Sequence, residues 1–210
     1  MKFIKLAITL LILQLVLACS SVGGIAKFNS SEKNASYKSS IDSLKVFIDV
    51  SAIGVAGASI KNIAQVHSDA SQNLVNSFKT KMNEAGVNAL VKPFGTVSST
   101  ETETSTTVTA KSIGTEKMIA DENPNPQPIL IVHISSWQTV NHVWNGMVSW
   151  RLDLVDPSVW TGKNKITIWT GLTKPMQFGS AACSKDAYKS CADRFAESVI
   201  AQLRTETLIR

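Results

Sequence analysis

The sequence predicts a mixed α/β (α+β) two-layer sandwich: a β-α-β unit, a three-stranded antiparallel meander, and a C-terminal helix. Three observations lead there. In LKVFIDVSAIGVA, Val46, Ile48 and Val50 alternate with Phe47 and Asp49, the period of a strand. Leu74, Val75, Phe78, Met82 and Ala85 then recur at helical spacing, followed at once by a second strand-like run, VNALVKPF. The chain closes on another helical stripe, Tyr188, Cys191, Ala192, Phe195, Val199 and Leu203, after three further apolar alternations.

Taken in order, the first strand falls within Leu44 to Ala56. The first helix is expected from near Asp69 to Ala85, with Ser68 or Asp69 accepting from its free amides. Gly86 stops it, because glycine takes the left-handed cap conformation without steric cost. A strand–helix–strand crossover of this kind makes its two strands parallel.

Residues 95–128 change character, with GTVSSTETETSTTVTAKSIG dense in threonine and DENPNPQP dense in proline. They read as a long mobile loop with room for a fragile hairpin, and loops of this length are either functional or disordered. PILIVHISSWQTV, GMVSWRLDLVD and NKITIWTG follow as the meander. In the middle strand Val148, Trp150, Leu152 and Leu154 share one face, while Ser149, Arg151 and Asp153 take the other. The last helix is expected from about Ser184 or Ser190 to Leu208, with Ser190 and Asp193 approximating a capping box.

The composition is that of a globular chain: 44% hydrophobic, 18% charged, with a formal charge of +5. Its basic residues are scattered, which argues against nucleic acid as a partner, since phosphate binding draws on clustered cations.

The N-terminus, MKFIKLAITLLILQLVLAC, sets Lys2 and Lys5 before an apolar stretch that ends at a small residue, the order of a secretory signal. The stretch falls short of the roughly 20 apolar residues a permanent span needs. Val16-Leu17-Ala18-Cys19 resembles the lipobox of bacterial lipoproteins, with valine where leucine is commonest. The resemblance implies cleavage before Cys19 and acylation (palmitate) of that cysteine. With Ser20 rather than aspartate next, it also implies outer-membrane residence; the domain is expected to face the periplasm, with display at the cell surface as the alternative. The expected organisation is a signal peptide over 1–18, a flexible tether over 19–43, and one domain over 44–210. The tether reading rests on the Ser-, Lys-, Asn- and Gly-rich composition of the segment before the first strand.

With Cys19 on lipid, Cys183 and Cys191 remain, an even pair in an oxidising compartment. On one continuous helix they would stand about 12 Å apart, beyond the roughly 7 Å that a disulfide spans. A Cys183–Cys191 bridge therefore requires Cys183 to lie in the loop before the helix; the alternative is two buried thiols.

LDLVDPSVWTGKNKITIW resembles the strand–turn–strand pattern of small envelope lipoproteins, carried here by Leu154, Asp156, Thr161, Gly162, Lys163 and Trp169. Those families include curli-secretion and penicillin-binding-protein-activator types and auxiliaries of lipopolysaccharide or phospholipid transport. Cys19, the tether and the sandwich order, with the absence of catalytic motifs, lead to the expectation of a binding, assembly or transport accessory rather than an enzyme.

The chain carries no G-x-S-x-G elbow, H-E-x-x-H pair or P-loop, and His67, His133 and His142 are isolated in sequence. No catalytic residue, metal ligand or cofactor is expected. Trp144 and Trp160 flank turns and are the candidate interaction residues, since exposed tryptophan suits protein interfaces and membrane surfaces; packing at a sheet edge is the alternative. The expected partners are the membrane through the anchor and an envelope protein or lipid-derived ligand. The competing reading is a small-molecule- or glycan-binding, or hydrolytic, protein using a groove beside 95–128.

Overall fold

The computed structural model describes residues 24–51, 63–101, 106–111, 127–139, 145–157, 166–179 and 188–210. Within them lie β1 (Phe28–Lys33), β2 (Ser43–Asp49), α1 (Ile63–Glu84), β3 (Asn88–Phe94), β4 (Thr96–Glu101) and β5 (Thr106–Lys111). Then come β6 (Ile129–Thr139), β7 (Asn145–Asp156), β8 (Ile166–Thr173), β9 (Met176–Gly179) and α2 (Lys189–Thr205).

An open seven-stranded sheet runs in the order β1-β8-β7-β6-β2-β3, and β9 pairs with the first residues of β7. Strand β2 is parallel to both β3 and β6, while β6, β7, β8 and β1 alternate in direction. The parallel β2–β3 pair with α1 between them in sequence is the expected crossover unit.

The main core joins the sheet to both helices. Val46, Ile48, Val50, Leu130, Val132, Trp150, Leu152 and Leu154 meet Leu74, Phe78, Met82, Phe195 and Val199 there. Trp150 stacks on Phe195 at 4.5 Å between centroids, and Phe195 meets Phe78 edge-on. Helices α1 and α2 run the same way, as Ser77 donates to Asp193 at 2.6 Å and Lys81 pairs with Glu197 at 2.8 Å. Phe47, Phe94, Ile129, Ile131 and Val155 form a second buried cluster through the alternate residues of the same strands.

Gly86 takes the predicted left-handed turn (φ 80°), and Val87 donates back to the Met82 carbonyl at 2.9 Å. This satisfies a carbonyl that the end of the helix leaves free.

Several expectations need correction. The stretch read as tether, 19–43, is partly sheet: β1 pairs with β8 from Phe28 to Lys33. Nothing in FNSSEK alternates cleanly, so its order comes from elsewhere. Trp169 Nε1 donates to Ser31 Oγ at 2.9 Å, Ser31 donates to Glu206, and Phe28 meets the Trp169 ring edge-on. Lys33 Nζ also donates to the Glu206 carbonyl at 2.7 Å, closing the end of α2.

Helix α1 starts at Ile63, so Ser68 and Asp69 lie inside it and cap nothing. Helix α2 starts at Lys189 behind Tyr188 (φ 74°), without a side-chain cap. Ser190 is thus a helical residue, and Asp193 is taken by Ser77 and Lys189 instead of a capping box. Strand β2 ends at Asp49, short of Ala56. Within 95–128, β4 pairs with β5 from Thr96↔Lys111 to Glu101↔Thr106, the hairpin for which the sequence left room.

Candidate functional site

The carboxyl ends of β2 and β3 and the early turns of α1 enclose a cleft of about 330 Å³, lined by Val50, His67, Ser68, Ser71, Gln72 and Gly95 among others. Sequence and fold cooperate here. The β2 alternation sends Val50 toward the helices, and the extra turns of α1 before Asp69 bring His67 across the strand end. Gly95 (φ 82°) makes the turn from β3 into β4, a backbone conformation that a Cβ disfavours.

His67 Nε2 lies 2.7 Å from the Val50 carbonyl, so that nitrogen carries the proton and donates. The Ser71 hydroxyl donates to the His67 carbonyl at 2.6 Å, which commits its proton to the helix backbone. Burial pulls the His67 pKa down, opposed by the Val50 bond.

The ring therefore takes up its second proton at lower pH in the fold than in the unfolded chain, where a histidine protonates near pH ~6.5. Below that value the unfolded chain binds more protons, so stability should fall as pH drops from 7 toward 5. Melting temperature followed by circular dichroism should show this slope, and His67→Gln should reduce it. An unchanged slope in that variant would assign the effect to other groups.

The neighbouring residue, Asp49, belongs to a separate cluster. Ser51 donates to it through both Oγ (2.6 Å) and backbone N (3.0 Å), and His133 Nδ1 lies 3.6 Å away. Burial alone would raise the Asp49 pKa; His133 and the two Ser51 donors outweigh it and hold the carboxyl below its usual range. Serine, aspartate and histidine are all present, but the carboxylate stands in the middle and accepts the serine hydroxyl's hydrogen bond. A nucleophile needs its hydroxyl against the base. The arrangement braces the end of β2, where Phe94 also meets the His133 ring edge-on.

Of the residues singled out by sequence, Cys19, Trp144, Trp160 and Cys183 lie outside the described residues. Cys191 is completely buried on the first turn of α2. Trp150 and Trp169 are both fully buried. Leu154 and Trp169, two markers of the lipoprotein-like turn, are direct cross-strand partners, and Thr161, Gly162 and Lys163 fall outside the described residues. Among the described residues no three His, Cys, Asp or Glu side chains cluster as metal ligands. No described helix is long and apolar enough to cross a membrane.

The sequence suggested a groove beside 95–128 but assigned to it none of the residues that line this cleft. Its one local signal is His67 followed by Ser68, Ser71 and Gln72, a polar set at helical spacing.

No family model matches the chain, and no curated protein matches it either. Among solved structures, a hypothetical protein from Chlamydia trachomatis is similar at a TM-score of 0.38 and 10% identity, over 80% of this chain and 98% of the other. A DUF4136 family protein from Bacteroides thetaiotaomicron is similar at 0.32 and 9% identity, over 86% of this chain and 96% of the other. Likeness at this level carries no argument about function.

Proposed function

We propose that the mature protein is an outer-membrane lipoprotein, anchored through Cys19 and facing the periplasm, that serves as a binding, assembly or transport accessory of the envelope. The observation that carries this reading is the Val16-Leu17-Ala18-Cys19 segment, set five residues before Gly24. Gly24 is already fastened to the domain, its N–H donating to the Gln177 carbonyl at 2.9 Å. A signal cut at that point releases a chain that is domain almost from its first residue. Its partner is an envelope protein or a lipid-derived ligand, with Trp144 and Trp160 as contact residues.

Replacing Cys19 with alanine should leave an uncleaved precursor without lipid, read by mass and by metabolic labelling with a fatty acid. A variant still cleaved at the same place would remove the lipoprotein reading. Crosslinking in intact cells, with the captured protein identified by mass spectrometry, tests the accessory role.

The second reading, a small polar ligand or glycan bound at the end of the sheet, is favoured by the cleft at His67. It opens beside Gly95, where the 95–128 segment begins. Ligand-induced shifts of His67 ring resonances would distinguish it from a purely protein-binding role.

The cysteine pair is part of the same proposal: Cys183 bridges Cys191 and pins the loop after β9 to the start of α2. Thiol labelling of the unfolded, unreduced mature chain should find no free cysteine. Cys191→Ser should lower the melting temperature by several degrees while leaving the domain folded, because a short loop restrains the unfolded chain only modestly. Two labelled thiols would rule the bridge out.

A further inference from the structure

A lipid anchor says which molecule is held at the membrane, but not which way the domain faces. The way the chain enters the domain decides that. Between Cys19 and Gly24 stand only Ser20, Ser21, Val22 and Gly23. Fully extended, that leash spans at most about 18 Å.

Gly24 cannot swing. Its N–H is bonded to Gln177 in β9, its φ is 84°, and a Cβ placed on it would stand 2.5 Å from the Cys191 Cα. Ala26 is fixed as well, its N–H donating to Ser198 Oγ at 3.1 Å. The leash therefore leaves the domain at one end, beside β9 and the first turn of α2. This is also the end to which β2, β3 and β6 run and at which both helices begin.

The surface at that exit has its own chemistry. Residues 24–27 run beside 174–177, joined by Gly24 N–H to the Gln177 carbonyl and Lys174 N–H to the Lys27 carbonyl at 2.7 Å. That pairing sets Lys27 and Lys174 next to each other at the surface, with Pro175 and Gln177 also exposed. Neither lysine is ion-paired to a described residue. Ile25, 45% exposed, is one of three large apolar side chains left open among the described residues.

Resting on the lipoprotein reading, we infer that this end, through Ile25, Lys27 and Lys174, docks on the anionic headgroup surface of the leaflet that holds Cys19. The leash keeps the exit within about 18 Å of the acylated cysteine, close enough for the side chains at the exit to reach the headgroups. Two unpaired ammonium groups and an exposed aliphatic side chain suit a surface that is anionic outside and apolar beneath. Each basic side chain held at such a surface strengthens association by about fivefold. The His67 cleft lies at the same end of the sheet.

The test uses the mature, lipidated full chain on vesicles of mixed neutral and anionic lipid carrying a nitroxide on the headgroup. One preparation is labelled with a fluorophore at Gln177→Cys, beside the exit. Another is labelled at Ala35→Cys, in the exposed turn after β1 at the opposite end of the sheet. Flotation with the vesicles is scored first, and a chain that fails to float removes the anchor on which the inference stands.

For a chain that floats, the label at 177 should be quenched several-fold more than the label at 35. Lys27→Glu with Lys174→Glu should bring the two close together without releasing the protein. Both lysines are exposed, so the double variant should keep its melting curve, which is measured alongside. Equal quenching at the two positions, or a double variant that quenches as before, would overturn the docked orientation while leaving the anchor intact.

Discussion

Trp150→Ala should destabilise the domain by about 3–5 kcal/mol, the usual cost of emptying a buried aromatic site. At roughly 2–4 °C per kcal/mol for a domain of this size, the melting temperature should fall by about 10 °C or more. Trp150 warrants the upper range because it belongs to every layer of the main core. It sits on the helix-facing side of β7, stacks on Phe195 of α2, and meets Phe178 of β9 edge-on at 5.8 Å. Its backbone N–H also donates to Thr173 Oγ1 at 2.9 Å, fixing β7 against the end of β8. Removal of the ring would open space facing both Phe195 and Phe178, and neither can relax into it without leaving its own partner.

One detail separates the ring from its polar atom. Trp150 Nε1 is buried without a hydrogen-bond partner among the described residues. Trp150→Phe keeps most of the stacking and removes an unpaired donor, whose burial costs about 1–3 kcal/mol. That variant should therefore lose far less than the alanine variant. Denaturant titration of both checks the comparison, and equal losses would mean that the indole N–H has a partner.

Gly24→Ala should release the N-terminal segment from the domain. Left-handed backbone costs a non-glycine residue about 1–2 kcal/mol. The added methyl would also meet the Cα and carbonyl of Cys191 at 2.5 Å, and helix backbone cannot move aside as a side chain can. The strained residue should lift away, taking with it the bond to Gln177 and the burial of Ala26. Limited trypsin digestion should then cut after Lys27 much faster than in the unaltered protein, while the core from β2 onward stays protected. Cleavage at the unaltered rate would show that the segment is held by something other than this contact. The same variant lengthens the leash, so the vesicle label at 177 should also be quenched less.

How much of this was legible depended on whether a segment carries its own apolar face. Val46, Ile48 and Val50 alternate, and Leu74, Phe78 and Met82 recur at helical spacing, because each set buries against whatever lies beneath it. Periodicity is then visible without knowing the partner, and the parallel β2–β3 unit around α1, the three long strands and the closing helix could all be read from it. Gly86 was legible for the same local reason, since a left-handed turn after a helix needs little beyond glycine itself.

Other features depended on distant partners. Strand β1 has a polar sequence, and its order comes from the free edge of β8 and from Ser31 lying between Trp169 and Glu206. A composition that suits a tether therefore became a sheet edge, and only that docking fixed where the leash leaves the domain. Helix α1 already includes Ile63, so Ser68 and Asp69, read as its cap, fall inside it. The His67 cleft arose where a helix end, two strand ends and a glycine turn converge, and the polar spacing in α1 alone does not say what it faces. The sequence by itself determined the sites of lipid attachment and disulfide to be tested, and which segments bury an apolar stripe. Only the tertiary structure decided at which end of the sheet the N-terminal segment joins the domain, because that rests on contacts between residues far apart in the chain, such as Gly24 against Cys191.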